Sequence, residues 1–445
     1  MTIHPSSTAP IDVNRTIDAG SWTGYQRVLV LLTALAIIFD GFDNQLLGLA
    51  LPSITADWRL APGAMAPVLS LGYFGMMIGG AVAGLAGDRY GRRTALVGSV
   101  LAFAGATVLI SLTNGLTSLA ALRFLAGIGL GGAIPNAAAL AAEYVPRHQR
   151  PLAVTIAIVC VPLGGTLAGL FAVPAIPTLG WRGLFLIGGA IPAVVALVLL
   201  RVLPESPLFL ARHPRRHGEL ARVLQRMGHS VGEHATFVTS GEVAPPKAGT
   251  SALLSPLFRA DTLALWGAFL SCLLSVYLAF SWLPSLLTRA NLGPGIASTG
   301  LTVFNLGGVV GALAAGTIIA RFGSRAPMLT MAVGAVAGAA VMSTLDLPRT
   351  SIAVVLGLLT VTGGLINAVQ TTMFALAAQV YPTELRSTGV GTASAIGRIG
   401  AILSGYLGAW SIDLGGSSSF FSVMAASLTI TVVSLFLIRR HVPAR

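Results

Sequence analysis

Two carboxylates stand where carboxylates are costly. Asp40 and Asp43 lie inside the apolar run 28 to 52, three residues apart, so a helix carries them on one face. Two cations are equally isolated, Arg123 in the run 117 to 142 and Arg398 in the run 388 to 410. A carboxylate in an apolar medium costs several kcal/mol if ionised and unpaired, so its protonated form is favoured there. That is the property a proton carrier needs. A guanidinium stays charged and offers a planar fork to a carboxylate. A third cluster sets Asp88 among Arg89, Arg92 and Arg93 in a glycine-rich decapeptide, Gly84 to Arg93. These residues can move a proton and hold an anion. They do not make a hydrolytic or redox centre, because no Walker-type loop or zinc-ligand cluster is present. The seven histidines, at 4, 148, 213, 217, 229, 234 and 441, all fall outside the apolar runs. The sequence therefore predicts no enzyme, no cofactor and no metal site.

The elements that must position these groups follow from composition. Of 445 residues, 54% are hydrophobic and only 9% charged, against about 25% charged in a soluble domain. The apolar residues fall in twelve blocks, each long enough to cross a hydrocarbon core of about 30 Å. They run 28 to 52, 66 to 86, 94 to 112, 117 to 142, 152 to 175, 183 to 203, 262 to 287, 297 to 320, 327 to 345, 351 to 378, 388 to 410 and 419 to 438, and are numbered here as spans 1 to 12. The expected fold is an all-α integral membrane protein of twelve transmembrane helices in two six-helix bundles. Its parts are an N-terminal tail 1–27, a bundle 28–203, a partly helical linker 204–260 containing the loop-like stretch Gly241 to Ser251, a second bundle 261–438, and a C-terminal tail 439–445. The tail 1–27 lacks a signal peptide's basic start and cleavage site, so span 1 is expected to remain in the mature protein.

The net charge of +12 does not point to nucleic acid, because the cations sit between apolar blocks and form no stripe with aromatics. They are sorted by side. The tails, the linker and the loops on their side carry 21 Lys and Arg, counting Arg201 at the end of span 6, and the opposite loops carry 4. The positive-inside rule makes the cation-rich side cytoplasmic, with both termini there. Cys160 and Cys272 lie within apolar runs and support neither a disulfide nor a thiolate metal site.

Depth sharpens the candidates. Asp40 is 12 residues into span 1, roughly 18 Å from its start and near the bilayer centre. Arg123, near the depth of Asp43, could pair with it. Arg398 lies about ten residues, roughly 15 Å, into span 11, while Asp261, Asp346, Glu384 and Asp413 of its own half all fall at or beyond span ends. Its partners are therefore a bound anion, a carboxylate of span 1 across the interior, or solvent reached by snorkelling. Asn136, Tyr277, Ser281, Trp282, Asn305, Asn367 and Gln370 are candidate cavity lining. Of these, Asn136, Tyr277, Trp282, Asn367 and Gln370 join Arg398 as expected substrate contacts, although interhelical hydrogen bonding and packing explain such residues equally well. Glu143 and Arg150, at the cation-rich end of span 4 and beyond, and Arg386 complete an expected gating network with Asp88, Arg89, Arg92, Arg93 and Arg123.

The two halves repeat. Gly84-Leu-Ala-Gly-Asp88-Arg89-Tyr-Gly91-Arg92-Arg93 returns after span 8 as Gly316-Thr-Ile-Ile-Ala320-Arg321-Phe-Gly323-Ser-Arg325, with alanine in the place of the acid. Ala-Ala-Glu143-Tyr-Val-Pro146 after span 4 returns as Ala-Ala-Gln379-Val-Tyr-Pro382 after span 10. Parallel repeats of this kind place a site near the midplane between the halves. The decapeptide resembles the signature of the major facilitator superfamily. Asp40-Gly41-Phe42-Asp43-Asn44-Gln45, Arg123 to Asn136 with its glycines, Pro204-Glu205-Ser206, Ser281-Trp282-Leu283-Pro284 and Gly397-Arg398-Ile-Gly400 together resemble the aromatic acid:proton symporters of that superfamily. The resemblance implies that Asp40 and Asp43 serve proton-coupled uptake. It implies a secondary transporter of the bacterial inner membrane that imports an aromatic carboxylate, of hydroxybenzoate or phenylpropionate type, with protons. A sugar porter or drug:proton antiporter of the same fold is the alternative, disfavoured because a midplane Arg398 suits an anion. A transporter-like membrane sensor is the alternative of another class.

Overall fold

The structure, a computed structural model, describes residues 10–232, 235–239 and 250–444; most of the loop-like stretch Gly241 to Ser251 lies outside them. Among these residues, ten helices are long and apolar enough to cross a membrane. Eight are single spans: Gly24–Asp57, Ala66–Tyr90, Arg92–Ile110 and Leu116–Glu143 are spans 1 to 4, and Arg259–Arg289, Gly293–Phe322, Arg325–Thr344 and Ile352–Val380 are spans 7 to 10. The other two, Arg150–Val202 and Thr383–Leu437, have 53 and 55 residues, roughly 80 Å of helix and far more than one crossing needs. Each breaks once, at Gly180 with φ 67° and at Gly415–Gly416 with φ 60° at the second glycine. These breaks separate spans 5 from 6 and 11 from 12, and the crossings number twelve.

The helices overrun the apolar runs because a helix does not stop at the hydrocarbon edge; it stops where its backbone is capped. Span 1 begins at a capping box, where Thr23 N–H donates to Gln26 Oε1 at 2.8 Å and the Thr23 hydroxyl accepts from Gln26 N–H. Within each half, close pairing relies on glycine. A Cβ at Gly41 of span 1 would sit 2.2 Å from the Val161 carbonyl oxygen of span 5, so only glycine permits that approach.

The described part of the linker is packed. Its helices Pro207–Ala211 and His217–Arg226 bury Leu210, Leu220, Val223 and Leu224 against the N-terminal helix Val13–Ala19 and the spans of the first half, in one hydrophobic cluster. A short parallel pair, Ile11–Asp12 with Phe237–Val238, stitches the N-terminal segment to the linker.

The core is V-shaped. On the cation-poor side one cluster runs through both halves, from Phe42, Leu46 and Phe185 to Phe280, Leu301 and Phe421. Toward the cation-rich side it divides into two clusters, one in each half apart from Ala401 of span 11, which joins the first-half cluster. Polar contacts follow the same division. Gln45 of span 1 and Asn305 of span 8, both fully buried, exchange amide hydrogen bonds of 3.0 and 2.7 Å. Ser70 of span 2 donates to the Ile402 carbonyl of span 11 at 2.8 Å. Gly48 lets span 1 meet span 7, since a Cβ there would lie 2.1 Å from the Phe280 carbonyl oxygen. The halves are closed together on the cation-poor side, whereas Gly84 of span 2 and Gly391 of span 11, nearer the other side, have open space before them.

Removing one member of the reciprocal amide pair leaves the other buried and unsatisfied, at a cost of about 1–3 kcal/mol. Gln45→Leu is therefore expected to shift the population toward the state open on the cation-poor side about tenfold. Spin labels at Thr178 and Asn291, on that side of the two halves, would report longer distances by electron–electron resonance. An unchanged distance distribution would show that the pair does not hold the closure.

Candidate functional site

Span 1 brings two aspartates to mid-membrane, and the structure gives them opposite surroundings. Asp43 is fully buried and paired, with Arg123 Nη1 3.2 Å from its Oδ2. Arg123 also donates through Nη2 to the Asn44 carbonyl oxygen at 3.0 Å, and Thr107 of span 3 donates to Asp43 Oδ1. Gly72 of span 2 makes room for the arginine, since a Cβ there would meet Arg123 Cγ at 3.0 Å. Every member of this network belongs to the first half. The pair expected from the sequence forms, and its hydrogen bonds satisfy both charges.

Asp40 is nearly as buried, at 1% exposure, yet among the described residues neither of its carboxylate oxygens has a hydrogen-bond partner. The charges that act on it most are Arg398, Asp43 and Arg123. Arg398 is half-buried and comes from span 11. Its Nη2 lies 4.0 Å from where a Cβ would stand on Gly80 of span 2, so the guanidinium reaches from the second half to the first. Tyr277 of span 7 stands in the field of both Arg398 and Asp40. Its ring meets Tyr73 of span 2 edge to face, with centroids 4.7 Å apart, and Tyr73 Oη lies 2.6 Å from Ser281 Oγ of span 7. Asp40, Tyr73, Tyr277 and Arg398 therefore converge from four helices and both halves. This arrangement can hold an anion on Arg398, place a ring beside the tyrosines and put a proton on Asp40. Tyr73 carried no signal in the sequence: it is one tyrosine in a glycine-rich apolar run, and only the crossing of spans 2 and 7 gives it a role.

Other candidates lie elsewhere. Asn136 is buried between spans 4 and 2, donating to the carbonyls of Ala83 and Gly132 at 3.0 and 2.9 Å, with its Oδ1 facing Gly87. Asn367 donates to the Gly363 carbonyl at 2.9 Å and packs on Gly308 of span 8. Trp282 is fully buried against Gly408 of span 11 in the cation-poor core. All three make contacts between helices, because a buried amide finds the carbonyl one turn back and a large indole fills the gap that a glycine leaves. Gln370, one turn from Asn367, is half-buried.

The expected gating network divides. Gly91, with φ 104°, turns the chain from span 2 into span 3. Asp88 pairs with Arg92, whose Nε is 3.8 Å from Glu143 Oε1, and Glu143 accepts from the Ser206 hydroxyl. Glu205, which carries no functional signal in the sequence, caps span 3: it accepts from the N–H groups of Arg93 and Ser206, each at 2.9 Å. Arg150 pairs with Asp18 of the N-terminal helix at 3.9 Å rather than with Glu143. Arg89 is exposed over the Tyr90 ring, and Arg386 is exposed. In the second half, where Ala320 replaces the acid, the C-terminal segment takes over: Ser324 N–H donates to the Val442 carbonyl at 2.9 Å, and Arg439 N–H to Asp261 Oδ1 at 2.7 Å.

Comparison with known proteins agrees with this architecture. The family model of the Major Facilitator Superfamily matches residues 33–405. The chain is 36% identical to a gallate transporter of Pseudomonas putida, covering 93% of this chain and 91% of that one. It is 34% identical to a 4-hydroxybenzoate transporter of Pseudomonas aeruginosa, covering 91% and 90%. The fold is shared with the xylose transporter XylE of E. coli in a partially occluded inward-open conformation, with a TM-score of 0.74, 16% identity, and coverage of 94% of this chain and 99% of that one. With its two six-helix halves, its signature turn after span 2 and relatives matched over nearly their whole length, this chain belongs to the Major Facilitator Superfamily, among its aromatic acid transporters.

Proposed function

We propose that this protein imports a hydroxylated aromatic carboxylate together with a proton, by alternating access, across a bacterial cytoplasmic membrane whose cytoplasmic face is the cation-rich side. The observation that carries the proposal is the unpartnered Asp40 carboxylate in the field of Arg398. The relatives named for gallate and 4-hydroxybenzoate supply the substrate class, a benzoate ring bearing hydroxyl groups.

Charge balance supplies the coupling. With the site empty, an ionised Asp40 offsets Arg398. When a substrate carboxylate takes the guanidinium, Asp40 must bind a proton, or two negative charges share one cation in a low-dielectric interior. Both balanced states are neutral at the centre, and only these can cross between the two open forms at low cost. Tyr277 stands beside the charges and against Tyr73, whose hydroxyl meets Ser281 across the halves. A ring arriving at Tyr277 thus bears directly on the closure of the cation-poor side. The Asp43–Arg123 pair, satisfied within one half, acts in this scheme to fix span 1 rather than to carry the proton.

Asp40→Asn removes the titrating group while keeping shape. Accumulation of a radiolabelled hydroxybenzoate driven by a proton gradient is expected to be abolished in proteoliposomes, with binding of the acid retained. Gradient-driven accumulation by the variant would exclude Asp40 as the carrier.

Arg398→Lys keeps the charge and loses the fork, so it is expected to weaken acid binding about tenfold; Arg398→Ala should weaken it about 100-fold or more and erase the preference for the acid over its amide. Calorimetry on purified protein measures both. Wild-type affinity in Arg398→Ala would move the anion site elsewhere.

When the cation-poor side opens, spans 2 and 11 must approach at Gly84 and Gly391, beside the Asp88 turn. Asp88→Asn is expected to lower the transport rate several-fold with little change in substrate affinity. An unaltered rate would make the turn a topology signal alone.

A further inference from the structure

Where the cation-rich ends of spans 1, 3 and 6 meet the linker helix His217–Arg226, the protein has a cavity of about 270 Å³. Four arginines line it, Arg93, Arg201, Arg222 and Arg226, with Tyr25 and a single acid, Glu219. That acid is engaged by Arg216, whose Nε and Nη2 lie 3.0 and 2.8 Å from Glu219 Oε2. Arg93 gives its main-chain N–H to Glu205 and its Nη2 to the Leu200 carbonyl, but among the described residues its Nε is buried without an acceptor, as is the Tyr25 hydroxyl. Among the described residues, no ion pair engages Arg201, Arg222 or Arg226; Arg222 donates only to the Gly218 carbonyl at 3.3 Å.

The positive-inside rule accounts for arginines on this side of the membrane. It does not account for four converging on one cavity together with buried donors that lack acceptors. The cavity also has an apolar continuation. Val202, in its wall, is 49% exposed, and Val194, Leu197 and Val198 of the same helix are 60%, 56% and 47% exposed. Their spacing makes one face of span 6 that descends from the arginines into the hydrocarbon. Basic pockets at a membrane surface recognise anionic headgroups, and an apolar stripe beneath such a pocket accommodates acyl chains.

We propose that this cavity binds the phosphoryl headgroup of an acidic phospholipid from the leaflet on the cation-rich side, with its acyl chains along span 6. The four guanidiniums supply the charge and Tyr25 a neutral donor. The bound lipid joins the linker helix to spans 3 and 6, so the linker is held to the first half by a membrane component as well as by its own core.

Native mass spectrometry of the purified full chain tests this, with dioleoylphosphatidylglycerol, dioleoylphosphatidylcholine and glycerol 3-phosphate as probes. Wild-type protein is expected to retain phosphatidylglycerol in preference to phosphatidylcholine. Arg222→Gln with Arg226→Gln should weaken that binding about 30-fold, from the loss of two surface cations. Arg321→Gln with Arg325→Gln, which removes the same charge from the turn after span 8, should leave it unchanged. Equal weakening in the two double variants, or equal retention of the two lipids by the wild type, would overturn the proposal. Glycerol 3-phosphate binding as tightly as the lipid would overturn the lipid assignment in favour of a soluble phosphate ester.

Discussion

A guanidinium held at mid-membrane must be balanced by a negative charge, and the rest of this protein can be understood from that constraint. Arg398 has no acid at its depth in the second half, so its balance has to come across the interface between the halves. Asp40 of span 1 stands in the field of Arg398 without a direct bond, and among the described residues no donor reaches its carboxylate. A charge pair of this kind costs little while it is complete and several kcal/mol when one member is changed. The neighbouring pair shows the contrast. Asp43 and Arg123 are bonded to each other, to Thr107 and to main-chain carbonyls within one half, and nothing in that network requires an incoming ion.

The V-shaped core lets that balance govern movement. One hydrophobic cluster joins the halves on the cation-poor side, and on the other each half has a cluster of its own, with Ala401 of span 11 joining the first-half cluster. Each half can then rotate as a unit about the central contacts, and the bonds that must break are few: the Gln45–Asn305 amides, Ser70 to Ile402, and Tyr73 with Ser281. Tyr277 touches both the charged centre and this closure. In the cycle proposed above, this pair of aromatic rings couples occupancy of the site to closure of the cation-poor side.

The two halves meet the same mechanical need with different chemistry. After span 2, the tight turn is held by carboxylates: Asp88 on Arg92, Glu143 beside it, and Glu205 capping span 3. After span 8 the acid is Ala320, and the C-terminal segment does the holding: Ser324 is bound to Val442, and the Asp261 carboxylate of span 7 accepts from Arg439 N–H and pairs with Arg440. The repeat in sequence is thus a repeat in geometry but not in charge. Among the described residues, the first copy keeps an ion pair within the turn itself, Asp88 with Arg92, whereas the ion pair beside the second copy, Arg440 with Asp261 at 3.9 Å, comes from the C-terminal segment and the start of span 7.

Much of the fold was legible in the sequence, because a bilayer sets the length of every crossing and excludes charge from it. Twelve spans could be read from apolar runs, and the boundaries placed between 175 and 183 and between 410 and 419 bracket the breaks at Gly180 and Gly415–Gly416. Asp40, Asp43, Arg123 and Arg398 could be singled out because an isolated charge in such a run needs a reason. What the sequence could not contain is which partner each group finds. Both aspartates share a face of span 1, and only the crossing of spans 1, 3 and 4 bonds one of them to Arg123 and Thr107 and leaves the other facing Arg398. Asn136, Asn367 and Trp282 looked like cavity residues and became helix contacts, since a polar side chain in a span has the same local signature whether it faces a neighbour or a cavity. The N-terminal strand paired with Phe237–Val238 and the arginine cavity beside span 6 depend on residues more than a hundred positions apart in the chain. Burial and periodicity are local and were written in the sequence; the pairing of charges is a property of distance, and distance was decided by the packing of the helices.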